Sequence, residues 1–139
     1  MAISSSTVTT SFKTQVLQGT HNFTASSGDT FKIALYTNSS SLAAATATYG
    51  DGTATNEVSG TGYSAGGNTL TSVTPVADGT TAVCDFADTS WTSATITAYG
   101  ALIYNSSESN KSVCVLNFGG DKTCTSGTFT IQFPTADAS

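Results

Sequence analysis

The chain has 139 residues, of which 38% are hydrophobic and only 9% are charged, and its formal net charge is −5. Its basic side chains are four lysines, with no arginine. Nucleic acids and anionic membranes are bound through clustered basic side chains, so this composition argues against both as partners. The length fits a single domain, and the many β-branched threonines favour a folded β-protein over a disordered chain.

The N-terminal segment divides into an arm and a helix. Residues 1–9 form a Ser/Thr-rich arm with Ile3 and Val8 as its apolar anchors. Terminal arms fray unless something holds them, and we expect a neighbouring subunit to hold this one. Thr10–Gln18 predicts a short helix, capped by one of its first two residues and stopped by Gly19. The start of the chain lacks the basic and continuously apolar stretches of a signal peptide, so we expect folding in a cytoplasm.

The clearest strand signal follows at Asp29–Thr37, where apolar side chains alternate with the others along FKIALYT. The next segment, Asn38–Thr48, fits a short helix or a loop, because its alanines permit the first and its Ser/Thr density permits the second. Gly50–Gly67 contains six glycines, which indicates tight turns. Within it, Glu57–Val58 is expected to start a strand that ends near Tyr63.

The second half predicts regularly spaced strands and turns. The strands are Thr69–Thr74, Thr81–Phe86, Thr95–Tyr104, Ser112–Phe118 and Gly127–Pro134, and the turns are Pro75–Thr80, Asn105–Asn110 and Gly119–Ser126. Ala101–Tyr104 and Val113–Leu116 are continuously apolar, so both faces of these strands should be covered. Trp91 is expected to plug one end of the core. The pattern predicts an all-β, single-domain antiparallel β-sandwich or barrel over residues 10–139, with a short N-terminal helix and the arm.

Residues that could carry chemistry are sparse. His21 is the single histidine, and its place in a short loop favours structural hydrogen bonding over a role as a base. Asp85 and Asp88 are close enough in sequence for paired-carboxylate chemistry, but their place at a strand end favours a turn. The alternate oxygens from Asp51 to Glu57 resemble a calcium loop only faintly. We therefore expect no catalytic residues, metal site or cofactor, and no enzymatic activity.

The three cysteines are an odd number and contain no CxxC pair. Cys84 and Cys114 lie in apolar, strand-like runs, which favours small buried side chains. A bridge between Cys114 and Cys124 within a hairpin is the alternative, and it would leave one thiol unpaired.

Several segments together resemble a known group of proteins. These are FKIALYT (31–37), TNEVSGTGYSAGG (55–67), the Trp-led stretch 91–104 ending in GALIY, VLNFGGDKTCTSGTF (115–129) and TIQFP (130–134). Their order and spacing resemble small structural proteins of tailed-bacteriophage virions over roughly residues 10–134. The resemblance implies a capsid decoration (cement) protein or a tail or fibre component, and it implies no catalytic residues.

These observations predict a non-enzymatic virion protein that is assembled in the host bacterial cytoplasm and binds the major capsid protein or neighbouring virion subunits. A homo-oligomer is expected, with a trimer as one plausible form. The alternative is a tail or head-fibre component that binds a host glycan through Trp91 and Tyr63. Subunit contacts are expected from the arm and the Gly-rich loop, with the following candidate interface residues: Ile3, Val8, Tyr49, Glu57 and Tyr63.

Overall fold

The structure is a computed structural model that describes residues 3–137. It is mostly β, with 47% of residues in strands and 6% in one short helix, which confirms the predicted all-β class and its antiparallel sheets. In chain order the elements are β1 (Thr7–Val8), α1 (Thr10–Leu17), β2 (Phe31–Tyr36), β3 (Asn68–Thr69), β4 (Ser72–Asp78), β5 (Thr81–Phe86), β6 (Thr89–Asn105) and β7 (Lys111–Ile131). No helix within residues 3–137 is long and apolar enough to cross a membrane.

The main sheet has five antiparallel strands in the order β1-β7-β6-β2-β3. Strand β2 pairs with β6 from Phe31 opposite Asn105 to Tyr36 opposite Gly100. Since successive side chains of a strand point to opposite faces, β2 contributes to a separate apolar cluster on each side. Both faces of the sheet centre are therefore covered. The continuously apolar run at residues 101–104 predicted this.

The larger cluster joins β2, β6 and β7 to α1 and the base of β5. It contains buried Phe31, Trp91 and Phe86, with half-buried Phe12 and Phe23 packed against it. The rings of Phe23 and Phe31 stack with their centroids 4.3 Å apart. This aromatic contact attaches the loop after α1 to the sheet.

The smaller cluster lies on the other face and includes the start of the chain. Ile3 is 1% exposed and packs with Tyr36, Leu102 and Val115. Nearby, β1 pairs with β7, and the Ser6 hydroxyl accepts a hydrogen bond from the Asn117 amide at 2.9 Å. The chain's own sheet thus holds the arm from Ile3 onward, which corrects the expectation that a neighbouring subunit holds it; residues 1–2 lie outside the described range.

One long strand, β7, stands where the sequence predicts the strands Ser112–Phe118 and Gly127–Pro134 with a turn between them. The predicted turn Gly119–Ser126 is wrong, because β7 continues from residue 111 to 131. Ala98 is opposite Lys122 and Gly100 is opposite Asn117, so the four residues 118–121 bulge out across from a single β6 residue. Gly119 and Gly120 have positive φ values of 72° and 154°, and these glycines let the backbone leave and rejoin the strand without reversing direction.

A second, two-stranded sheet consists of β4 and β5 alone, and we call it the ribbon (residues 72–86). The prediction of a turn at Pro75–Thr80 is wrong in part, since Pro75 lies inside β4 and the reversal occurs at Gly79–Thr80. The register shifts between Val73 and Val76, and proline is tolerated at such an irregular edge position because no ladder hydrogen bond is lost there.

Helix α1 spans residues 10–17, close to the predicted range, and it ends where Gly19 adopts a φ of 71°. The predicted cap is wrong. Thr9 is the N-cap residue and makes no side-chain cap bond; its hydroxyl bonds instead to the Ser112 and Val113 carbonyls of β7.

Two loop predictions also have an outcome. Residues 38–48 form a loop with turns, so of the two alternatives for this segment the loop is right and the short helix is wrong. The strand expected from Glu57 to Tyr63 is absent from that described segment. Two isolated bridges, Tyr36 with Glu57 and Thr61 with Thr95, join it to the sheet instead.

Trp91 tests the aromatic core, since its side chain is only 4% exposed. Trp91→Ala should lower the free energy of unfolding by about 3–5 kcal/mol, because it leaves a cavity. Trp91→Phe should cost only about 1–2 kcal/mol, because the ring volume is largely kept and the indole Nε1 makes no hydrogen bond within the described residues. Urea denaturation followed by far-UV circular dichroism measures both variants. Equal losses for both would contradict a packing role.

Candidate functional site

Three of the predicted interface residues meet in one hydrogen-bonded cluster around the Glu57 carboxylate. Oε1 accepts hydrogen bonds from the Tyr63 hydroxyl and the Gly66 amide, both at 2.7 Å. Oε2 accepts from the Tyr49 hydroxyl at 2.8 Å. Three donors directed at one carboxylate form strong, charge-assisted bonds. We call Tyr49, Glu57, Tyr63, Gly66 and Tyr104 the Glu57 cluster.

The cluster is fastened to the sheet at two points. The Tyr63 hydroxyl accepts the Leu35 amide of β2 at 2.9 Å, and the Tyr104 hydroxyl of β6 donates to the Gly66 carbonyl at 2.8 Å. The rings of Tyr49 and Tyr104 stack at 4.6 Å. The Gly-rich loop is thereby held against strands β2 and β6.

The loop also approaches the sheet too closely for a side chain at Gly67. Gly67 has a φ of 68°, and a Cβ there would overlap the Ile33 carbonyl. The run of glycines in residues 60–67 thus serves close backbone contact as well as turning.

Burial keeps the phenols of this cluster protonated. Burial, and after it the hydrogen bond to Glu57, raises the pKa of Tyr49 to about 12 and raises the pKa of Tyr63 further. Burial also raises the pKa of Tyr104. A phenol that stays protonated donates a hydrogen bond and does not act as a base near neutral pH. The arrangement therefore holds the loop through protonated phenols that donate to Glu57 and to the Gly66 carbonyl.

The other two predicted interface residues lie elsewhere. Ile3 is inside the smaller core cluster, so its side chain does not reach the surface, while Val8 is exposed on β1. Sequence reasoning missed Tyr104 and Gly66. Tyr104 lay in a strand predicted to be buried, and a buried phenol needs a hydrogen-bond partner, which was the signal available.

His21 lies in a second polar cluster, between α1 and the end of β6. The buried Asn105 side chain donates to the Asp29 carboxylate at 2.7 Å and to His21 Nδ1 at 3.0 Å. Its oxygen accepts the Ser107 amide, which fixes the orientation of the amide group. Nδ1 must then be an acceptor, so Nε2 carries the proton and donates to Gln15 at 2.8 Å. His21 is a neutral structural residue, in keeping with the predicted hydrogen-bonding role.

Asp51 organises the loop that faintly resembled a calcium site. Its two carboxylate oxygens accept hydrogen bonds from the amides of Ala47 and Thr53 at 2.6 and 2.7 Å, and from the Thr53 hydroxyl. Burial alone would raise the pKa of Asp51, but these bonds outweigh it and lower the pKa to about 2. Within residues 3–137 no group of three or more His, Cys, Asp or Glu side chains could hold a metal ion.

Asp85 and Asp88 serve local structure. Asp85 accepts the Phe86 amide at 2.7 Å, and Asp88 accepts the Phe133 amide at 2.9 Å. Asp85 lies within β5, which corrects its predicted place in a turn, while Asp88 lies in the two-residue connection between β5 and β6.

The cysteines are free thiols, so the alternative of a Cys114–Cys124 bridge does not form. Cys84 is exposed, which corrects its predicted burial. It lies on the ribbon and not in the main sheet. Burial raises the pKa of Cys114 to about 12, so this thiol stays protonated and unreactive.

An apolar cleft of about 430 Å³ separates the base of the ribbon from the main sheet. Its walls include Phe12, Val83, Phe86, Val113 and Phe133. Binding sites for small molecules combine apolar walls with a few convergent polar groups. The lining also includes the carboxylates of Asp85 and Asp137 and the thiols of Cys84 and Cys114, while the Glu57 cluster and His21 lie elsewhere.

Compared with known proteins, the chain matches no protein-family model, no curated protein and no solved structure. The fold and its sites define a small all-β protein whose ordered polar groups hold loops in place.

Removing the Glu57 carboxylate tests how much the Glu57 cluster stabilises the folded state. Glu57→Ala should lower the free energy of unfolding by about 2–4 kcal/mol, because three donors lose their acceptor at once. Urea denaturation at neutral pH measures this loss.

The matched control is Glu108→Ala, which removes a partly exposed carboxylate that forms an ion pair with Lys111 at 3.7 Å. Such pairs contribute about 0–1 kcal/mol. A Glu57 variant as stable as this control would show that the cluster does not hold the loop.

The lowered pKa of His21 predicts that the free energy of unfolding depends on pH. Burial lowers the pKa of His21 below its ordinary 6.5, against the opposite pull of Asp29, so the folded state binds fewer protons than the unfolded state. Its contribution to stability is therefore complete above pH 6.5 and is lost as the pH falls through the folded-state pKa. The wild-type free energy of unfolding should decrease from pH 7.5 to 5.5 more steeply than that of His21→Gln. Parallel pH profiles for the two proteins would contradict the assignment.

Proposed function

We propose that this chain is a non-enzymatic structural protein of a tailed-bacteriophage virion, and that it decorates and cements the capsid by binding the major capsid protein. The observation that carries the proposal is the resemblance of ordered motifs across residues 10–134. The proposal places the chain in the virion, after assembly in the host bacterial cytoplasm.

The use of polar residues supports a structural role. Glu57, Asp51 and His21 each make at least two hydrogen bonds within the fold: Glu57 and Asp51 order the loop around them, and His21 links α1 to Asn105 of β6. An enzyme instead directs such groups toward a pocket where a substrate can reach them. The cleft of this chain is mostly apolar, and these three residues do not line it.

The surface also suits contacts between proteins. Interface cores are depleted in charge, and this chain has few charged residues for its size. The Gly-rich loop is held rigidly by the Glu57 cluster, so a partner that binds it pays little conformational entropy. Val8 is exposed beside β7 and stays a candidate contact, while Ile3 does not, because it is buried in the chain's own core.

The alternative, a tail or head-fibre component that binds a host glycan, relied on Trp91 and Tyr63. Trp91 is buried, and the Tyr63 hydroxyl is already bonded to Glu57 and to the Leu35 amide. Trp91 therefore presents no free ring face for a sugar to stack on, while Tyr63 is half-buried with its hydroxyl engaged. The decoration role is therefore the proposal, and the tail role is an outcome of its test.

The test counts the protein in purified phage particles by mass spectrometry against the major capsid protein. Decoration predicts a copy number that is comparable to that of the shell subunit, and particles lacking the protein should release their DNA at a lower temperature until purified protein is added back. A copy number at the level of a tail component would favour the alternative. Absence from particles would overturn the proposal.

Val8→Glu refines this experiment, with Thr128→Glu as a control at another exposed strand position. Weaker rebinding of the Val8 variant alone would make Val8 part of the contact. Equal rebinding would place the contact on another surface of the protein.

A further inference from the structure

One edge of the main sheet lacks a partner strand over much of its length. Strand β7 lies at that edge, and β1 covers its outer side only at Cys114 and Val115. Among the described residues, no strand pairs with the outer side of β7 from residue 116 to 131. Every second residue of this stretch directs its backbone N–H and C=O groups away from β6. An edge of this kind is a template for a further strand.

The first part of this edge is protected. Natural edge strands are blunted by bulges, among other devices, and the extra residues of β7 lie at 118–121 and 125–126. Side-chain oxygens also accept the backbone amides of this part, at Asn117, Gly119 and Ser126. A further strand is therefore disfavoured along the first part.

The last part of β7 has none of these devices. Residues 127–131 contain no extra residue, no charge and no proline. They consist of one glycine, two threonines, Phe129 and Ile131, and all of these except the glycine are typical of strands. We call residues 127–131 the open edge. It is the part of β7 that is best suited to accept a strand.

A second apolar cleft, of about 600 Å³, lies beside the open edge. Strand β7 bends back on itself there. The rings of Phe118 and Phe129 lie 6.4 Å apart, although a straight strand of that length would separate them by about 35 Å. We call this the edge cleft, and its apolar walls are Leu116, Phe118, Phe129, Ile131 and Phe133. Side chains of a strand added to the open edge would enter this cleft.

Lys122 is the one charged residue in the lining of the edge cleft. Its side chain is exposed, and it makes no ion pair among the described residues. The neighbouring Asp121 lies in the bulge and does not line the cleft. A carboxylate on a bound strand would therefore meet a positive charge beside apolar walls, where a charge-assisted bond is strong.

The geometry points to the open edge as the binding site of an extended peptide segment from another protein, which adds one strand to β7. Apolar side chains at alternate positions of this segment enter the edge cleft, and an acidic side chain pairs with Lys122. In this mode of recognition the backbone hydrogen bonds give affinity and the pockets for alternate side chains give specificity. Residues 122–131 span about 30 Å, so nine or ten residues of extended chain cover the whole site.

A second copy of this chain fits the site less well. If two open edges paired antiparallel, residue 127 of one copy would lie opposite residue 131 of the other, and Lys122 would lie opposite residue 136. Strand β7 ends at Ile131, so no strand of the second copy would reach Lys122. A longer acidic segment uses both the edge and the charge. The inference concerns a segment of this chemistry and does not assign it to the capsid protein.

The probe is a nine-residue peptide with blocked ends, in which valine alternates with threonine and one glutamate stands near an end. Titration of the nitrogen-15-labelled full chain, followed by amide chemical shifts, measures both affinity and position. We expect the amides of the open edge to shift, with a dissociation constant below about 1 mM. Two further peptides are N-methylated at alternate residues in the two possible frames. The frame that faces β7 should bind at least about tenfold more weakly, and the other should bind like the parent.

Exchange of charge tests Lys122. Lys122→Glu should bind the glutamate peptide about tenfold more weakly, and it should recover affinity for a peptide with lysine in place of the glutamate. The matched control is Lys13→Glu, which makes the same change at an exposed lysine outside the cleft. Circular dichroism and the thermal midpoint establish that both variants are folded, as expected for exposed positions.

The inference is overturned if the peptide does not bind at about 1 mM, if the shifted amides lie outside the open edge, or if both N-methylated peptides bind like the parent. It is also overturned if Lys122→Glu binds like Lys13→Glu. Shifts of the same amides on dilution of the protein alone would make a second copy the occupant and overturn the choice of partner. The assay contains no phage particle, so its failure is distinct from failure of the proposed function.

Discussion

Strands β6 and β7 pair from Thr89 opposite Ile131 to Asn105 opposite Lys111, and the other strands of the main sheet depend on this pairing. Strand β1 adds to the outer edge of β7, while β2 adds to β6 and β3 to β2. The two long strands are joined by a short turn, so the pairs beside that turn are close in sequence, while those at the far end join residues 89 and 131. Their bulges also increase the local twist, which suits a sheet that is covered on both faces.

A second constraint is the cost of burying polar backbone in long loops. The loops between β2 and β3 and between α1 and β2 are held by few side chains: Asp51 and Glu57 in the first, His21 and Asn105 in the second. Each accepts or donates several hydrogen bonds, because buried polar groups left unpaired are costly. Because each of these side chains makes several hydrogen bonds, a chain with few charged residues can order loops of this length.

The Gly-rich loop and the ribbon differ in how the fold supports them. The Gly-rich loop is rigid because the Glu57 cluster ties it to two strands, and rigid surfaces lose little entropy on binding. The ribbon strands pair only with each other among the described residues, and the Thr74 hydroxyl links β4 to the loop after α1 by accepting the Ala25 amide at 3.0 Å.

Prediction from sequence succeeded where the signal was local. Helix α1 and strands β2 and β5 were predicted nearly at their observed bounds, because alternation, glycine stops and helical spacing depend on adjacent residues. The errors at Pro75 and at Gly119–Gly120 have one cause. Proline and glycine permit a turn, but they also permit a bulge within a strand, and only the partner strand decides between these outcomes.

In the candidate site, too, the local signals were predicted from the sequence and the long-range contacts were not. Tyr49, Glu57 and Tyr63 were singled out as surface contacts, yet the hydrogen bonds that unite them also need Gly66 and the distant Tyr104. Ile3 looked like a free anchor until the sheet supplied a core for it. The amino-acid sequence by itself determined the β class, the faces of the strands and the shortage of reactive groups, because these follow from local pattern and composition. Only the tertiary structure decided which polar groups meet and which apolar ones stay exposed, because both depend on residues far apart in the chain.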